Sequence, residues 1–343
     1  MQDRGAYFVC AQRFNVTERT AAPPVQRPRA ALDLPRFLLC TALRPGLGPD
    51  WGRHVTRLRI HHETIYTYPE PVNFGAWRLL MRPSDTHGER VLEASFELSP
   101  PGATRWTYDA YGNSVCHFTP QGPSTQLRVV NHLLIDRFPA PLSPLNMDDP
   151  RSLCPIVYEG NDRTVLAPFI TPATDEADAN YHLWLQNAAP QPGEPALDYI
   201  MRLNSAIHSG FVYATREEFG TQSPATTCAR GGTCRDLAWL MIETLRRYGF
   251  AARFVTGYLN PGAGAIGAGA THAWCEVFLP DLGWMECDPT NGLIESSDLI
   301  RVAATRTPEE ASPMGGSVLD NPGGETLTVN VRVELDNSTF QTF

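Results

Sequence analysis

A chain of 343 residues with 42% hydrophobic content can fill the cores of two domains. It holds no run of 18 or more apolar residues to span a membrane, so a cytoplasmic protein with no membrane partner is expected. The net charge of −9 argues against nucleic acid or an anionic lipid surface as a partner, since both are bound through basic patches. All 28 basic residues are arginine, which codon bias in a GC-rich genome accounts for, and the chain has no lysine amine with which to cross-link itself.

Residues 1–54 combine arginines with Pro-rich stretches such as Ala22-Pro23-Pro24-Val25 and hold one short apolar patch, Phe37-Leu38-Leu39-Cys40. They read as a disordered extension or as an over-extended gene start, because a GTG start codon can stand where Val55 does. From Leu58 the hydrophobic period becomes two: Leu58, Ile60, His62, Thr64 and Tyr66 alternate with polar neighbours, as do Leu92, Ala94, Phe96 and Leu98, and later Leu127 and Val129, then Leu133 and Ile135. With a turn at Tyr108-Asp109-Ala110-Tyr111-Gly112-Asn113, residues 55–140 form an expected small β-sandwich-like domain. A connector rich in proline is expected over 141–194. A helix whose stripe is Ala196, Ile200, Leu203 and Ile207 then opens the core expected over 195–315. The tail 316–343 carries one more strand, with Leu327, Val329, Val331, Val333 and Leu335 on one face, that rejoins a sheet of either unit.

Within the core, Leu237, Leu240, Met241, Thr244, Leu245 and Tyr248 recur at helical spacing and stop at Gly249. Cys234 extends that stripe backward to the first turn, where unpaired N–H groups and the positive end of the helix dipole favour a thiolate. A buried structural cysteine is the commoner meaning of such a thiol. Two downstream residues change the balance. His272, Trp274, Glu276 and Phe278 share one face of an alternating run, Pro280-Asp281-Leu282-Gly283 supplies a turn, and Trp284, Glu286 and Asp288 return on the same face. His272 and Asp288 thereby become near or diagonal cross-strand neighbours. A carboxylate at that reach fixes the imidazole's tautomer and leaves its other nitrogen for the thiol.

The remaining cysteines, among them Cys116, Cys154 and Cys228, contain no C-x-x-C pair, and the hairpin turns Cys275 and Cys287 away from His272. Neither a metal site nor a cofactor is expected. Gln222 is a weaker candidate for an oxyanion donor, Trp274 for a cleft wall, and Asp236 for electrostatic support of the helix start.

Four runs in order carry a resemblance: Gly232-Thr233-Cys234-Arg235-Asp236, then Arg253-Phe254-Val255-Thr256-Gly257-Tyr258-Leu259, then His272-Ala273-Trp274-Cys275-Glu276-Val277, then Gly283-Trp284-Met285-Glu286-Cys287-Asp288-Pro289-Thr290-Asn291-Gly292. Together they resemble the bacterial transglutaminase-like superfamily, and Arg57 to Phe138 resembles the β-rich N-terminal domain of its bacterial members. The resemblance implies an α+β, papain-like core with Cys234 as nucleophile, His272 as base and Asp288 as orienter. It departs from many relatives at Cys275 and Cys287, where an aliphatic residue is usual. The chemistry expected is acyl transfer from a peptide or protein substrate through a thioester. Hydrolysis is favoured, because the loop Asn260 to Ala270 offers no acidic side chain to an incoming amine. The alternatives are amine transfer to protein glutamine, a small-molecule acyltransferase, for which no nucleotide-binding motif is present, and a non-catalytic peptide-binding module.

Overall fold

Strict alternation builds the first unit. The computed structural model describes residues 8–9, 55–138, 150–174, 178–216, 218, 220–260, 265–267, 269–280, 282–320 and 323–336. After the two-residue strand β1 (Phe8–Val9) come β2 (Thr56–Val72), β3 (Phe74–Arg82), β4 (Glu89–Ser99), β5 (Gly102–Tyr108), β6 (Ser114–Pro120) and β7 (Ser124–Arg137). Leu58, Ile60, His62, Thr64 and Tyr66 are the buried face of β2, as the period requires. In β4 a register shift between Val91 and Glu93 interrupts the alternation, so Leu92 stands exposed instead of joining the apolar face.

Among the described residues five α-helices follow: α1 (Gly160–Ile170), α2 (Ala179–Ala188), α3 (Ala196–Gly210), α4 (Pro224–Arg230) and α5 (Cys234–Arg247). The strands β8 (Ala252–Leu259), β9 (His272–Leu279), β10 (Gly283–Asp288), β11 (Leu293–Ile294) and β12 (Leu299–Thr305) make a five-stranded antiparallel sheet in the order β11-β10-β9-β8-β12. Finally β13 (Met314–Val318) and β14 (Thr326–Leu335) return to the first unit. The first unit's two sheets run β1-β13-β3-β6-β5 and β14-β2-β7-β4, and Tyr66, Leu127, Val129 and Leu327 of one meet Trp77, Leu79, Phe118 and Met314 of the other. The architecture is thus α+β, a helix-covered antiparallel sheet joined to a β-sandwich.

The structure bears on three of the expected segments. The stretch 141–194, expected as a connector, carries α1 and α2, and Leu166 and Tyr181 are buried in the helical core with α5. The strand expected in a C-terminal tail pairs with β2 from Thr326↔Thr67 to Leu335↔Leu58, which answers which unit it joins. The extension 1–54 lies outside the described residues except for β1, whose Phe8 and Val9 pair with Gly316 and Gly315. Among the described residues no helix is long and apolar enough to cross a membrane.

The helix α5 is more than amphipathic: every residue from Asp236 to Arg246 is buried, because the other helices surround it on the side away from the sheet. That burial includes an ion pair. Arg246 Nη1 lies 3.0 Å from Glu243 Oε1, with both side chains fully buried. Glu243 also accepts from the N–H groups of Ala173 and Thr174 and from Thr174 Oγ1, while Arg246 donates to the carbonyls of Phe169, Ala252 and Arg306. The pair therefore ties α5 to the end of α1 and to the sheet.

The two units meet in an apolar layer where Leu58, Ile60 and Ile135 pack on Tyr258, Ile300 and Val302. Beside it lies a buried ionic cluster. Arg137 of β7 reaches Glu89 at 3.4 Å and Glu286 at 3.5 Å, while Glu276 is held by Arg253 at 2.5 Å and by Arg301 at 3.2 Å. Burial outweighs the neighbouring arginines at two of these carboxyls, pushing Glu89 up to about 7 and Glu286 up to about 8.

Two outcomes follow from this packing. Glu243→Ala leaves Arg246 as an uncompensated buried charge and should cost about 3–5 kcal/mol in a urea titration. Because Glu89 and Glu286 titrate above the ordinary carboxylate range, the stability they confer is complete below about pH 4.5 and is lost as pH rises through 7 to 8. The melting temperature should therefore fall between about pH 4.5 and pH 8, and fall less in Glu89→Gln. An equal fall in that variant would remove Glu89 as a cause.

Candidate active site

Two glycines bring the chain to the start of α5. Gly231 has φ of +74°, and a Cβ there would lie 2.2 Å from the Val212 carbonyl oxygen. Gly232 forms a parallel bridge with Tyr213, and its own missing Cβ leaves room for Asp236. The fully buried Asp236 then organises the first turn. Its Oδ2 accepts from Thr233 N–H at 2.9 Å and Thr233 Oγ1 at 2.8 Å, so the carboxylate reaches back over the N-cap residue. Arg216 grips both carboxylate oxygens, at 2.8 and 2.7 Å, and Gln222 N–H donates at 2.9 Å. Burial alone would raise the Asp236 carboxyl; these donors overcome it and hold it below its ordinary value. The N–H groups of Asp236 and Leu237 bond to Thr233 O, whereas those of Cys234 and Arg235, one turn earlier, have no carbonyl within the helix to receive them.

Cys234 is half-buried at this first turn and lines a cavity of about 110 Å³ together with His272. The hairpin sets Cys287 opposite Cys275, so Asp288 falls two residues diagonal to His272. Across that diagonal His272 Nε2–H donates to Asp288 Oδ2 at 2.8 Å, both side chains fully buried. The second ring nitrogen, Nδ1, is buried with no conventional hydrogen bond, and the Cys234 side chain is the other group that interacts with the ring. Burial by itself would lower the imidazole's pKa, but the Asp288 carboxylate, with Cys234 adding to it, raises it to about 10. Asp288 moves the other way: burial raises it, and His272, Asn291 and the Thr290 N–H override burial and lower it. The structure brings Cys234, His272 and Asp288 into one site.

Asn291 was not singled out from the sequence. Its Nδ2–H₂ donates to Asp288 Oδ2 at 2.9 Å and to Ile266 O at 3.2 Å, and its Oδ1 accepts from Ile266 N–H at 2.8 Å. One amide thus holds the carboxylate and fastens the segment preceding β9. Gly267 of that segment, at φ +91°, lies over the imidazole so closely that a Cβ would stand 3.1 Å from His272 Nδ1. Arg216 also went unseen, since an arginine 20 residues upstream of its partner carries no local signal.

The weaker candidates sort differently. Gln222 Nε2–H₂ donates to Gly231 O at 2.5 Å and Thr227 Oγ1 at 3.3 Å, so its amide braces the approach to α5 and is turned to the backbone. Trp274 is fully buried among Val255, Leu259, Leu299 and Ala304, and stacks on the His272 ring with centroids 6.0 Å apart, so it packs behind the imidazole and lies outside the cavity. Cys275 and Cys287 sit side by side as free, buried thiols on the α5 side of the sheet.

Comparison with known proteins agrees with this architecture. Residues 58–136 match the bacterial transglutaminase-like N-terminal region, and residues 185–289 match the transglutaminase-like superfamily core. Uncharacterized proteins of Mycobacterium tuberculosis and Mycobacterium bovis are each 29% identical over 305 residues, spanning 83% of this chain and 94% of theirs. The protein-glutamine gamma-glutamyltransferase of Pseudomonas aeruginosa is 31% identical over 121 residues, 31% of this chain but 17% of that protein. The solved structure of a "Putative Cysteine Protease" from Cytophaga hutchinsonii superposes with a TM-score of 0.59 at 18% identity, covering 85% of this chain and 94% of that one, a likeness of fold. Residues 185–289 are thus a transglutaminase-like superfamily core, preceded over residues 58–136 by the N-terminal region of its bacterial members.

Proposed function

We propose that the protein is a thiol-dependent enzyme of acyl transfer, with Cys234 as nucleophile, His272 as acid–base and Asp288 as the residue that orients the ring. The observation that carries this reading is the position of His272: one nitrogen is fastened to a buried carboxylate and the other is left beside the thiol. A ring whose pKa is raised to about 10 is an imidazolium at neutral pH, which sets a positive charge beside Cys234. The thiolate attacks an amide carbonyl; the free N–H groups at the start of α5 face the developing oxyanion. His272 gives its proton to the departing amine, leaving a thioester on Cys234. Water then attacks that thioester with its proton taken by His272, releasing the acid.

Hydrolysis of peptide or amide bonds is the reading adopted. The described part of the segment before β9 carries no acidic side chain to draw an ammonium group to His272, and a transferase must hold its acceptor amine close. One feature favours the second reading, amine transfer. The exposed carboxylate of Glu309 lines the same cavity as Cys234, and the Pseudomonas relative is named for that reaction.

The nucleophile and the acceptor are separately testable. Burial raises the thiols of Cys116, Cys154, Cys275 and Cys287, Cys154 to about 11. Iodoacetamide at pH 6 should therefore label Cys234 at least about tenfold faster than these four, by peptide mass spectrometry. Uniform labelling, or full activity in Cys234→Ser, would refute the assignment. For the acceptor, a glutamine-containing peptide is incubated with enzyme and a primary amine at tens of millimolar. Free acid should exceed amine adduct in the products; a majority of adduct would move the protein to the transferase reading, and Glu309→Gln should then lower the adduct share.

A further inference from the structure

Period two buries Ile60 and His62 in β2 and turns His61, between them, to the outer face of the sandwich. There it lies directly across from His132 of β7, 71 residues later in the chain. The two rings stand with centroids 4.9 Å apart at an angle of 55°, and their Nδ1 atoms face each other at 3.4 Å. The far nitrogen of one ring is already fixed. His132 Nε2–H donates to Glu97 Oε1 at 3.2 Å, and a neutral imidazole that spends its proton there has only a lone pair at Nδ1. The Nδ1 separation is long for a hydrogen bond. It matches the spacing of two nitrogens on one tetrahedral ion. With zinc–nitrogen bonds of about 2.05 Å at the tetrahedral angle the nitrogens lie about 3.4 Å apart, whereas the right angle of a square-planar or octahedral ion brings them to about 2.9 Å.

We propose that His61 and His132 form a zinc site on the outer face of the sandwich, each binding through Nδ1, with Glu97 orienting the His132 ring from behind. A carboxylate on the second nitrogen of a metal-binding imidazole fixes its tautomer and raises its basicity, which is the part Glu97 plays. Among the described residues no group of three or more His, Cys, Asp or Glu side chains could hold a metal ion, so water completes this two-histidine chelate. The side chains of His132 and Glu97 are open to solvent, which leaves room for that water. The nearby charges balance: Arg128 bonds to both Glu63 and Glu97, and Arg332 lies across from His61 in β14. The imidazoles, and not the net field of this face, therefore select the ion. The site stands apart from the chemistry at Cys234, and its ligands are too far apart in the chain to form a spacing motif.

The test uses the full chain and zinc alone, with binding read by competition against a coloured chelator in the wild type and in His61→Asn, His132→Asn and Glu97→Ala. Each histidine variant should lose one zinc equivalent or bind it at least about tenfold more weakly, and Glu97→Ala should weaken it by about tenfold. Because both ligands must be deprotonated, wild-type affinity should also fall by at least about tenfold between pH 7.5 and pH 5.5. In zinc-soaked crystals, anomalous scattering at the zinc edge should place the ion about 2.0–2.1 Å from both Nδ1 atoms. Zinc held by Cys234 or another thiol would survive the histidine substitutions. Uptake that the wild type and both histidine variants share, or no uptake by the wild type, would therefore overturn the proposal and leave a hydrogen-bonded histidine pair. An ion found anywhere but between the two rings would do the same. Either histidine variant decides if the other does not fold.

Discussion

A fully buried imidazole facing a fully buried carboxylate is the constraint around which the rest of this fold is arranged. Taking both groups out of water is costly, and their mutual attraction compensates only when the remaining lone pairs and protons are met. Here Asp288 Oδ1 accepts from Thr290 N–H at 2.9 Å and Oδ2 accepts from Asn291 at 2.9 Å as well as from His272. Each of those donors is placed by something else. The turn after β10 places Thr290 and is itself held by His208 of α3, whose Nδ1 lies 2.9 Å from Thr290 O. Asn291 is clamped to Ile266, and the segment carrying Ile266 is bonded through Gly269 to β14 of the sandwich. Removing any of these leaves the dyad undersatisfied while it stays buried, so parts remote from the thiol govern the ring that serves it.

The opposite side of the site follows the same rule with different chemistry. A thiol at the head of a helix is useful only if the helix does not move, and α5 is surrounded on all sides and pinned by a buried pair at its far end. At its near end Asp236 gathers Arg216, Gln222 and Thr233, so Arg216 and Gln222 are both drawn against the first turn by one carboxylate. Two rigid bodies, the helix and the hairpin, thus meet at Cys234 and His272. Proximity of this kind lowers the entropic part of a barrier before any proton moves.

Local patterns in the sequence were legible, and long-range partnerships were not. The alternation of β2 and β7, the α5 stripe, the hairpin from His272 to Asp288 and its diagonal pairing all come from residues close in the chain, where period and turn chemistry speak directly. Helices α1 and α2 were passed over as connector because α1 carries Pro168 and neither shows a clear stripe; their burial comes from α5, more than 50 residues later. Asn291 looked like the end of a Pro-Thr-Asn turn, and Gln222 like a donor near the thiol. The difference between them lies in what faces each amide, which one-dimensional spacing does not contain. Leu92 shows the same limit at smaller scale, since a bulge reverses the face that alternation assigns.

The order of the strands ties the site to complete folding. β2 lies between β7 and β14, so the strand bearing His62 and Thr64 is held from one side by a strand of its own unit and from the other by the last described strand of the chain. The pairing of Thr64 with Val329 and of His62 with Val331 spans more than 260 residues, a closure whose entropic cost is recovered only after both units have formed. Without that pairing the cavity lacks Val329, and Gly269 lacks the Val331 N–H that bonds to its carbonyl. This topology makes both the lining beside Cys234 and the placement of the segment before His272 depend on the pairing of β14 with β2, so that a contact between the two ends of the described chain is built into the site.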